Sequence, residues 1–291
     1  MLKMIGGKVF RSFIRPLLFS PHLPESWFLG IFNWILRWRR ISDRLSLVKS
    51  SDLQPRYKIA DKDSDRVKYF CFRQQGYASF SQGISSRGDN IGRTYLLQNI
   101  NFCKNDIVID CGANTGDLRI FFENRDLNIS YIGLEPGLAE FRALTQNYGQ
   151  SKSCSLHNCA LGASNGEAQF FYKPEFGDSS LIENADFDAV HTVTVKTLDT
   201  FLEERGLANK RIKLLKLEAE GAEPEVCIGA SNSIRNIDFV AADLGFERGV
   251  NAESSAPQVI NFLGSHGFEV IGITPNRLCV LFTNSTESGL T

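Results

Sequence analysis

The 291-residue sequence lacks the cysteine spacing of a zinc site. It has seven cysteines, and no two of them form a C-x-x-C pair; they stand at positions 71, 103, 111, 154, 159, 227 and 279. Four ligands at finger-like spacing cannot be assembled from these positions. The odd number and the apolar neighbours favour reduced, packed thiols in a cytosolic protein. No other metal-binding pattern stands out, so the sequence predicts no metal site.

Net charge and long apolar runs are also nearly absent. The formal net charge of −1 argues against a protein held to nucleic acid by phosphate contacts. Near the amino end, the longest uncharged stretch is residues 26–36, whereas a membrane-spanning helix needs about 20 residues. Arg11 and Arg15 interrupt the first apolar residues, which disfavours a secretory signal. The expected location is the cytoplasm, either free or peripheral on the cytoplasmic face of a membrane.

The charge is unevenly distributed along the chain. Residues 1–40 carry seven basic side chains and one acidic side chain, so their formal charge is +6 and the rest of the chain holds −7. One side of a helical wheel for the first segment holds Lys3, Lys8, Arg11 and Arg15. A second segment, residues 25–40, contains all three tryptophans. This pattern favours attachment of residues 1–40 to an anionic membrane surface. The alternative is a helical pair packed on the domain or in a dimer contact.

Beyond residue 105, apolar runs alternate with amphipathic segments. The predicted strands are 106–110, 130–135, 153–162, 191–198, 212–218, 238–245, 268–272 and 278–284. The predicted helices are 117–125, 138–149, 224–234 and 256–267. This alternation predicts an α/β domain with a mostly parallel sheet and a terminal antiparallel pair. Strand 191–198 alternates in polarity and is expected to be exposed or at an edge.

Three zones follow from this pattern. Residues 1–50 form a basic, aromatic helical extension, residues 51–104 a preamble of strand and helix, and residues 105–291 the α/β domain.

The stretch "DCGANTGD" (110–117) lies between a predicted strand and helix, where α/β domains bind ligands. Its glycines, Gly112 and Gly116, are spaced G-x-x-x-G and do not match the G-x-G-x-x-G of dinucleotide sites. Asp110 and Asp117 would also repel a pyrophosphate. The same two carboxylates would attract a cationic ligand without phosphate, such as S-adenosylmethionine. Asp110 could organise the loop or meet the ammonium group of that ligand.

A second acidic residue supports a nucleoside ligand. Glu135 ends the next strand, 19 residues after Gly116, and an acid there can accept both ribose hydroxyls. The alternative is a sharp turn followed by a charged helix start.

At this point the sequence resembles the FkbM-type methyltransferases. The motifs that carry the resemblance occur in this order: "VIDCGANTGD", "YIGLEP", "NCALG", "VKTLDTFL" and "KLEAEGAE". They cover roughly residues 68–284. The resemblance implies a class I methyltransferase fold with a Rossmann-like sheet of order 3-2-1-4-5-7-6 and an antiparallel strand 7. It also implies S-adenosylmethionine as donor and O-methylation, often of a sugar or natural-product hydroxyl.

The resemblance also assigns a cofactor site. Residues of the glycine loop would line the methionine end, Glu135 would hold the ribose, and residues 158–161 would meet the adenine edge. The predicted cofactor-binding residues are Asp110, Gly112, Ala113, Asn114, Gly116, Glu135, Pro136, Asn158, Ala160 and Leu161.

The stretch "LLKLEAEGAEPE" (214–225) places four glutamates together. Glu223 and Glu225 flank a proline suited to the first helical turn, where acids favour the helix dipole. Glu218 and Glu220 would remain at the cleft edge, with Lys216 as a candidate cation on the same strand face. The family more often has an aspartate in place of Glu218, which is one methylene shorter.

Methyl transfer to a hydroxyl needs a group that removes the hydroxyl proton. The candidates for this group are Glu218, Glu220, Asp243 and Glu247. The predicted catalytic set is Lys216, Glu218, Glu220 and Asp243. The candidate substrate-binding residues are Arg87, Tyr95, Glu247 and Arg248.

The sequence therefore predicts an S-adenosylmethionine-dependent O-methyltransferase acting on a saccharide or a lipid-linked glycan. Two alternatives remain at this stage. One is an NAD(P)-dependent sugar oxidoreductase or epimerase, and the other is a non-catalytic, membrane-associated adaptor that has kept the fold.

Overall fold

A computed structural model describes residues 20, 22–48, 55–173, 179–183 and 187–285. The first helices and strands precede the glycine loop and are called the cap here. They are α1 (Glu25–Trp38), β1 (Arg44–Leu47), β2 (Tyr57–Ala60), β3 (Val67–Phe70), α2 (Arg73–Phe80) and α3 (Ile84–Thr94).

The remaining elements form the α/β domain. They are β4 (Ile107–Cys111), α4 (Asp117–Glu123), β5 (Ser130–Leu134), α5 (Leu138–Tyr148), β6 (Cys154–His157), β7 (Ala160–Leu161), β8 (Gly166–Tyr172), β9 (Ala189–Lys196), α6 (Leu198–Glu203), β10 (Ile212–Leu217), α7 (Glu223–Ile228), β11 (Ile237–Asp243), β12 (Phe246–Arg248), β13 (Glu253–Ser254), α8 (Ala256–Ser265), β14 (Phe268–Thr274) and β15 (Cys279–Asn284). Short 3₁₀ turns lie at Leu97–Asn99 and Ile234–Asn236.

A seven-stranded sheet forms the centre of the α/β domain. Its order is β14-β15-β11-β10-β4-β5-β6, and β15 runs antiparallel to both of its neighbours. The central strands β4, β10 and β11 are parallel and apolar, because both faces of a parallel sheet are covered. Numbered by their sequence order within this sheet, the strands run 3-2-1-4-5-7-6 with strand 7 antiparallel. The predicted fold class and strand order are therefore confirmed.

One strand prediction needs correction. The predicted third strand, 153–162, is divided: β6 joins the central sheet, and β7 joins a second, three-stranded sheet of order β7-β9-β8. The strand predicted to be exposed or at an edge, 191–198, corresponds to β9. Most of its residues are at least partly exposed, so the first of these alternatives is confirmed. β9 pairs with β8 along its length and with β7 only at Val195 and Lys196.

The helix α1 belongs to the same packed unit as the rest of the cap. Its buried residues Phe28, Phe32, Ile35 and Leu36 share one apolar cluster with β1 to β3 and with α2. The same cluster reaches Ile120 of α4, so the cap is fastened to the domain beside the glycine loop. The division of the chain at residues 50 and 104 stays a prediction.

No helix in the described part of the chain combines the length and the apolar character that a membrane span requires. The predicted basic helix face around Lys3, Lys8, Arg11 and Arg15 lies outside the described residues.

Candidate active site

The loop after β4 is shaped by two close approaches. At Gly112 the φ angle is +73°, and a Cβ atom there would lie 1.9 Å from the carbonyl oxygen of Glu218. At Gly116 the φ angle is +87°, and an added Cβ would lie 2.5 Å from the ring of Tyr148. Only glycine tolerates both this backbone and this contact. The loop therefore lies tightly against the end of β10 before α4 begins at Asp117.

A buried ion network lies beneath this loop. Lys216 of β10 is the register partner of Asp110 of β4, so the two side chains leave the sheet at the same level. The Lys216 Nζ atom lies 3.1 Å from Asp110 Oδ1 and 2.8 Å from Glu218 Oε2. It also donates to the Gly112 carbonyl oxygen at 2.8 Å, and the Tyr131 hydroxyl donates to Asp110 Oδ2 at 2.6 Å. Of the two roles predicted for Asp110, this geometry corresponds to organising the loop.

Lys216 and Glu218 of this network keep their charges at neutral pH. Burial alone would lower the pKa of Lys216, but the carboxylates of Asp110 and Glu218 outweigh burial and raise this pKa above its usual range. Burial alone would raise the pKa of Glu218, but Lys216 and Arg277 outweigh it and lower this pKa to about 2. So acidic a carboxyl group is a poor general base near neutral pH. Glu218 therefore fits a positioning role better than the base role.

Glu135 lies directly after β5 and is 7% exposed. Its Oε2 atom accepts from the backbone N–H of Asn114 at 2.7 Å, and its Oε1 atom accepts from the backbone N–H of Gly137 at 2.7 Å. These bonds fix the carboxyl group at the cleft and leave each oxygen a free lone pair for a ligand hydroxyl. Burial and the neighbouring carboxyl group of Glu140 raise the pKa of Glu135 to about 8.

The residues predicted for the adenine edge lie next to Glu135. The Asn158 side-chain amide donates to the carbonyl oxygens of Glu135 and Pro136, at 2.8 and 3.0 Å. Asn158 borders a small cavity of about 210 Å³ that adjoins Pro136. Ala160 and Leu161 are buried and line the main cleft.

The main cleft has a cavity volume of about 350 Å³. It brings together most of the predicted site residues, namely Arg87, Asp110, Gly112, Ala113, Asn114, Glu135, Pro136, Ala160, Leu161, Lys216, Glu218, Glu220 and Glu247. Seven acidic and three basic side chains line the cleft. This excess of negative charge suits a cationic ligand such as S-adenosylmethionine and disfavours a pyrophosphate.

Arg277, which also lines the cleft, lies close to three carboxyl groups. Its Nη2 atom lies 3.0 Å from Glu218 Oε1, 2.5 Å from Asp243 Oδ2 and 3.8 Å from Glu247 Oε1. Asp243 is 1% exposed and does not line the cleft, whereas Glu247 does. Arg277 therefore connects the buried ion network to the open side of the cleft.

Glu247 is the carboxyl group of this cluster that titrates near neutral pH. Its side chain is 32% exposed and lies within hydrogen-bond reach of the Glu220 side chain. Burial, with Asp243 and Glu218 nearby, raises the pKa of Glu247 to about 7. The backbone of Glu220 is held in a left-handed conformation with φ of +49°, and the Ser180 hydroxyl donates to its carbonyl oxygen at 2.6 Å.

The structure does not bring every predicted residue to the cleft. Tyr95 is 3% exposed, and its ring lies 5.7 Å from Lys216 Nζ, so it packs behind the ion network. Arg248 forms a two-pronged pair with Glu225 at 2.7 and 2.8 Å and lies outside the cleft lining. Gly116 and Asp243 also lie behind the surface of the cleft.

Glu223 and Glu225 were predicted to lie together at the start of a helix, and the structure differs from this prediction in one respect. Glu223 is 1% exposed, and its Oε1 atom accepts from the backbone N–H groups of Ala219 and Gly221 at 2.8 and 3.2 Å. It therefore closes the loop between β10 and α7 from inside the protein, in addition to lying in the first turn of α7. Glu225 lies in that turn and is held by Arg248.

Several cleft residues were missed from the sequence, among them Gln75, Glu140 and Arg277. Gln75 of the cap donates to Asn114 Oδ1 at 2.6 Å, Glu140 lies beside Glu135, and Arg277 lies in the turn before β15. Arg87, which was predicted to bind substrate, donates to Asp117 Oδ2 at 2.6 Å. Two cap side chains therefore hold the glycine loop. No local motif marks Gln75 or Arg277, because only the packing of the cap and of β15 brings them to the cleft.

The Glu135 site leads to a prediction about donor affinity. Glu135→Gln replaces one accepting oxygen with an amide that faces a backbone N–H donor, and it removes a hydrogen-bond acceptor offered to the ribose. We expect the affinity for S-adenosylmethionine, measured by calorimetry, to fall roughly 10- to 100-fold, as for a buried hydrogen-bonding group left without its partner. Glu269→Gln, an exposed change on β14, is the matched control. An affinity equal to that of the control would remove Glu135 from the donor site.

Solved structures that are similar to this chain share little of its sequence. A Streptococcus pneumoniae protein provisionally described as a tRNA (m1A22) methyltransferase, in complex with S-adenosyl-L-methionine, is 10% identical, with a TM-score of 0.40, covering 69% of this chain and 72% of that one. Precorrin-6y C5,15-methyltransferase from Geobacter metallireducens GS-15 is 12% identical, with a TM-score of 0.36, covering 65% of this chain and 84% of that one.

Sequence comparison identifies the family. "Methyltransferase 1" of Beauveria bassiana (strain ARSEF 2860) is 25% identical over 192 residues, which are 58% of this chain and 74% of the relative. The family model described as the methyltransferase FkbM domain matches residues 110–270, more than half of the chain. These matches support neither the oxidoreductase nor the adaptor alternative. The chain therefore belongs to the FkbM methyltransferase family and is an S-adenosylmethionine-dependent methyltransferase.

Proposed function

We propose that this methyltransferase acts on oxygen, and that its acceptor is a hydroxyl group of a saccharide. The observation that carries this proposal is the Glu247 carboxyl group, which lines the cleft next to Glu220 and has a pKa raised to about 7. A hydroxyl acceptor must lose its proton during transfer, and a base whose pKa is near the working pH is best suited to take it.

The donor side of the cleft has the chemistry that S-adenosylmethionine requires. The carboxyl group of Glu135 suits the ribose hydroxyls, and the loop over Asp110 and Lys216 suits the methionine portion. When bound, S-adenosylmethionine supplies the methyl group as an electrophile. Because the positive charge on sulfur is lost during transfer, a fixed carboxylate beside it contributes to binding more than to rate.

The acceptor side supplies the base. In the proposed step, Glu247 accepts the hydroxyl proton while the acceptor oxygen forms its bond to the methyl carbon. The carbon–sulfur bond breaks, and its electron pair stays on sulfur. Arg277 keeps Glu218 and Asp243 paired, so the proton goes to Glu247 and not to its neighbours.

A saccharide acceptor is supported by the polar lining of the cleft and by the motifs shared with the family. Ser79 and Gln75 of the cap border the cleft together with Arg87, so hydroxyl-rich ligands would find both donors and acceptors there.

Transfer of labelled methyl from S-adenosylmethionine to fractionated cell glycans and lipids tests the acceptor class. We expect label in a saccharide-containing fraction, in a bond that survives mild base as an ether does. Label in protein or nucleic acid would overturn the saccharide acceptor. Label in an ester or an amine would overturn hydroxyl methylation.

Glu220 leads to a second prediction. In Glu220→Gln, the new amide can donate to the Glu247 carboxylate, which stabilises its charged form and weakens it as a base. We expect kcat to fall roughly tenfold or more and the midpoint of its pH dependence to move below 7.

Glu225→Gln is the control in the same loop. It weakens only the partly exposed pair with Arg248, which is worth about 1 kcal/mol or less, so kcat should stay near the wild-type value. Equal losses of kcat in both variants would contradict the separate roles assigned to these glutamates.

A further inference from the structure

The three tryptophans of the chain lie on one exposed face of α1. Trp27, Trp34 and Trp38 are seven and four residues apart, so they project from the same side of the helix. Their side chains are 64%, 53% and 60% exposed. The rings of Trp34 and Trp38 stack with centroids 6.5 Å apart. We call these three side chains the tryptophan face.

The opposite side of α1 packs against the rest of the cap. Phe28, Phe32, Ile35 and Leu36 are each 0–1% exposed and share a cluster with Tyr57. Because this packing fixes the rotation of the helix, α1 cannot turn the tryptophan face inward. Large exposed aromatic patches of this kind mark interaction surfaces.

The charges around the tryptophan face are of one sign. The exposed basic residues from the end of α1 to the start of β1 are Arg37, Arg39, Arg40 and Arg44. Of these, Arg39 donates to the Ser81 carbonyl oxygen, and none has an acidic partner within the described ranges.

The two acidic residues between the start of α1 and the start of β1 are already engaged. Glu25 pairs with Arg56 and Arg73, and Asp43 is buried, where it accepts from the Ile84 backbone N–H. The surface next to the tryptophan face therefore carries positive charge that no acidic side chain of the described residues neutralises.

From this arrangement we infer that the tryptophan face and its arginines dock on the surface of an anionic lipid bilayer. Tryptophan side chains favour the boundary between headgroups and acyl chains, since the ring is apolar and its N–H needs a polar partner. Arginines beside them are attracted by anionic headgroups. With 14 residues, α1 would lie along the surface, with its phenylalanine side still packed on the cap. The inference does not depend on the acceptor.

Tryptophan fluorescence tests this docking directly, since the chain has no tryptophan outside α1. The full chain is titrated with vesicles of phosphatidylcholine alone and with vesicles of equal parts phosphatidylcholine and phosphatidylglycerol. We expect a blue shift and co-sedimentation with the anionic vesicles, both weakened by added salt, and little binding to the neutral vesicles.

Three variants assign the binding to this surface. The double variant Trp34→Gln, Trp38→Gln should lower partitioning into anionic vesicles roughly tenfold or more, because the burial of two large apolar rings in the bilayer is lost. Arg37→Gln with Arg40→Gln should lower it roughly 30-fold, as for two basic residues near an anionic surface. Ile271→Gln, which removes an exposed apolar side chain from β14, should leave it unchanged.

Absence of wild-type binding to anionic vesicles would overturn the inference, as would full binding by the double tryptophan variant. A dimer in light scattering that only the tryptophan variant abolishes, without vesicle binding, would assign the face to a second copy of the chain instead. Circular dichroism and S-adenosylmethionine affinity, unchanged in the variants, show that the fold is intact.

Discussion

Glu247→Gln should lower kcat by about 10²- to 10⁴-fold, the range that a positioned general base contributes. The change keeps the size of the side chain and removes its ability to take the hydroxyl proton. The loss should appear at saturating S-adenosylmethionine, because Glu247, which lies with Glu220 and Arg277, is proposed to act on the acceptor and not on the donor.

The pH dependence gives a second readout of the same group. The pKa of Glu247 is raised to about 7 by burial and by the neighbouring carboxylates, so the base form is present above this pH. The wild-type kcat should therefore rise as the pH increases through about 7, and this rise should be absent from Glu247→Gln. Because Glu135 and Glu140 also have raised pKa values, the profile has to be measured with the donor at saturation.

A matched variant separates this effect from a general loss of charge. Glu253→Gln changes an exposed glutamate on β13, the strand that pairs with β12, which contains Glu247. It should leave kcat near the wild-type value. If Glu247→Gln keeps more than about a tenth of the wild-type kcat, the proton is not taken by this residue.

Lys216→Met should lower the free energy of unfolding by about 3–5 kcal/mol, the cost of leaving a buried charge without its partner. The side chains of Lys216 and Asp110 are 4% and 1% exposed, so water cannot replace the ion pair. The Gly112 carbonyl oxygen also loses a donor, so we expect the affinity for S-adenosylmethionine to fall as well. Urea unfolding and calorimetry measure the two effects.

Two further variants test the physical cause. In Lys216→Met the carboxylate of Asp110 is the uncompensated charge, so adding Asp110→Asn should restore part of the lost stability. Burial raises the pKa of Asp110, and without Lys216 this effect is unopposed. Protonation at acid pH should therefore narrow the stability gap between Lys216→Met and the wild type.

Lys213→Met is the control on the same strand. Lys213 pairs with Asp238 at 3.3 Å, and both side chains are about one-fifth exposed, so its loss should cost about 1 kcal/mol or less. A cost for Lys216→Met as small as this would mean that the buried network does not hold the loop.

Much of the fold could be predicted from local pattern. The apolar runs that became β4, β10 and β11 are continuous because both faces of a parallel sheet are buried. The glycine loop and Glu135 could be located because each lies directly after such a run, where strands of this fold present ligand-binding residues. The spacing of Lys216 and Glu218 placed them on one strand face, and in the structure they form an ion pair.

The burial and the partners of the polar side chains depended on contacts between segments distant in the chain. Arg277 reaches Glu218, 59 residues away in the chain, because β15 pairs with β11 and places the turn before β15 above the cleft. Glu223 and Glu225 are two residues apart, yet one is buried against backbone N–H groups and the other is held by Arg248. A sequence pattern shows that a charge exists, but it does not show which partner will approach it.

The sequence by itself determined the fold class, the family, the donor and the strand ends that carry the site, because these follow from short-range periodicity and from residues adjacent to each strand. Only the tertiary structure decided that Glu247 titrates near neutral pH, that Tyr95 and Arg248 lie away from the cleft, and that the tryptophans of α1 face outward. The physical reason is that burial and the distance to opposite charge set a side chain's pKa and partners, and both depend on packing between segments far apart in the chain.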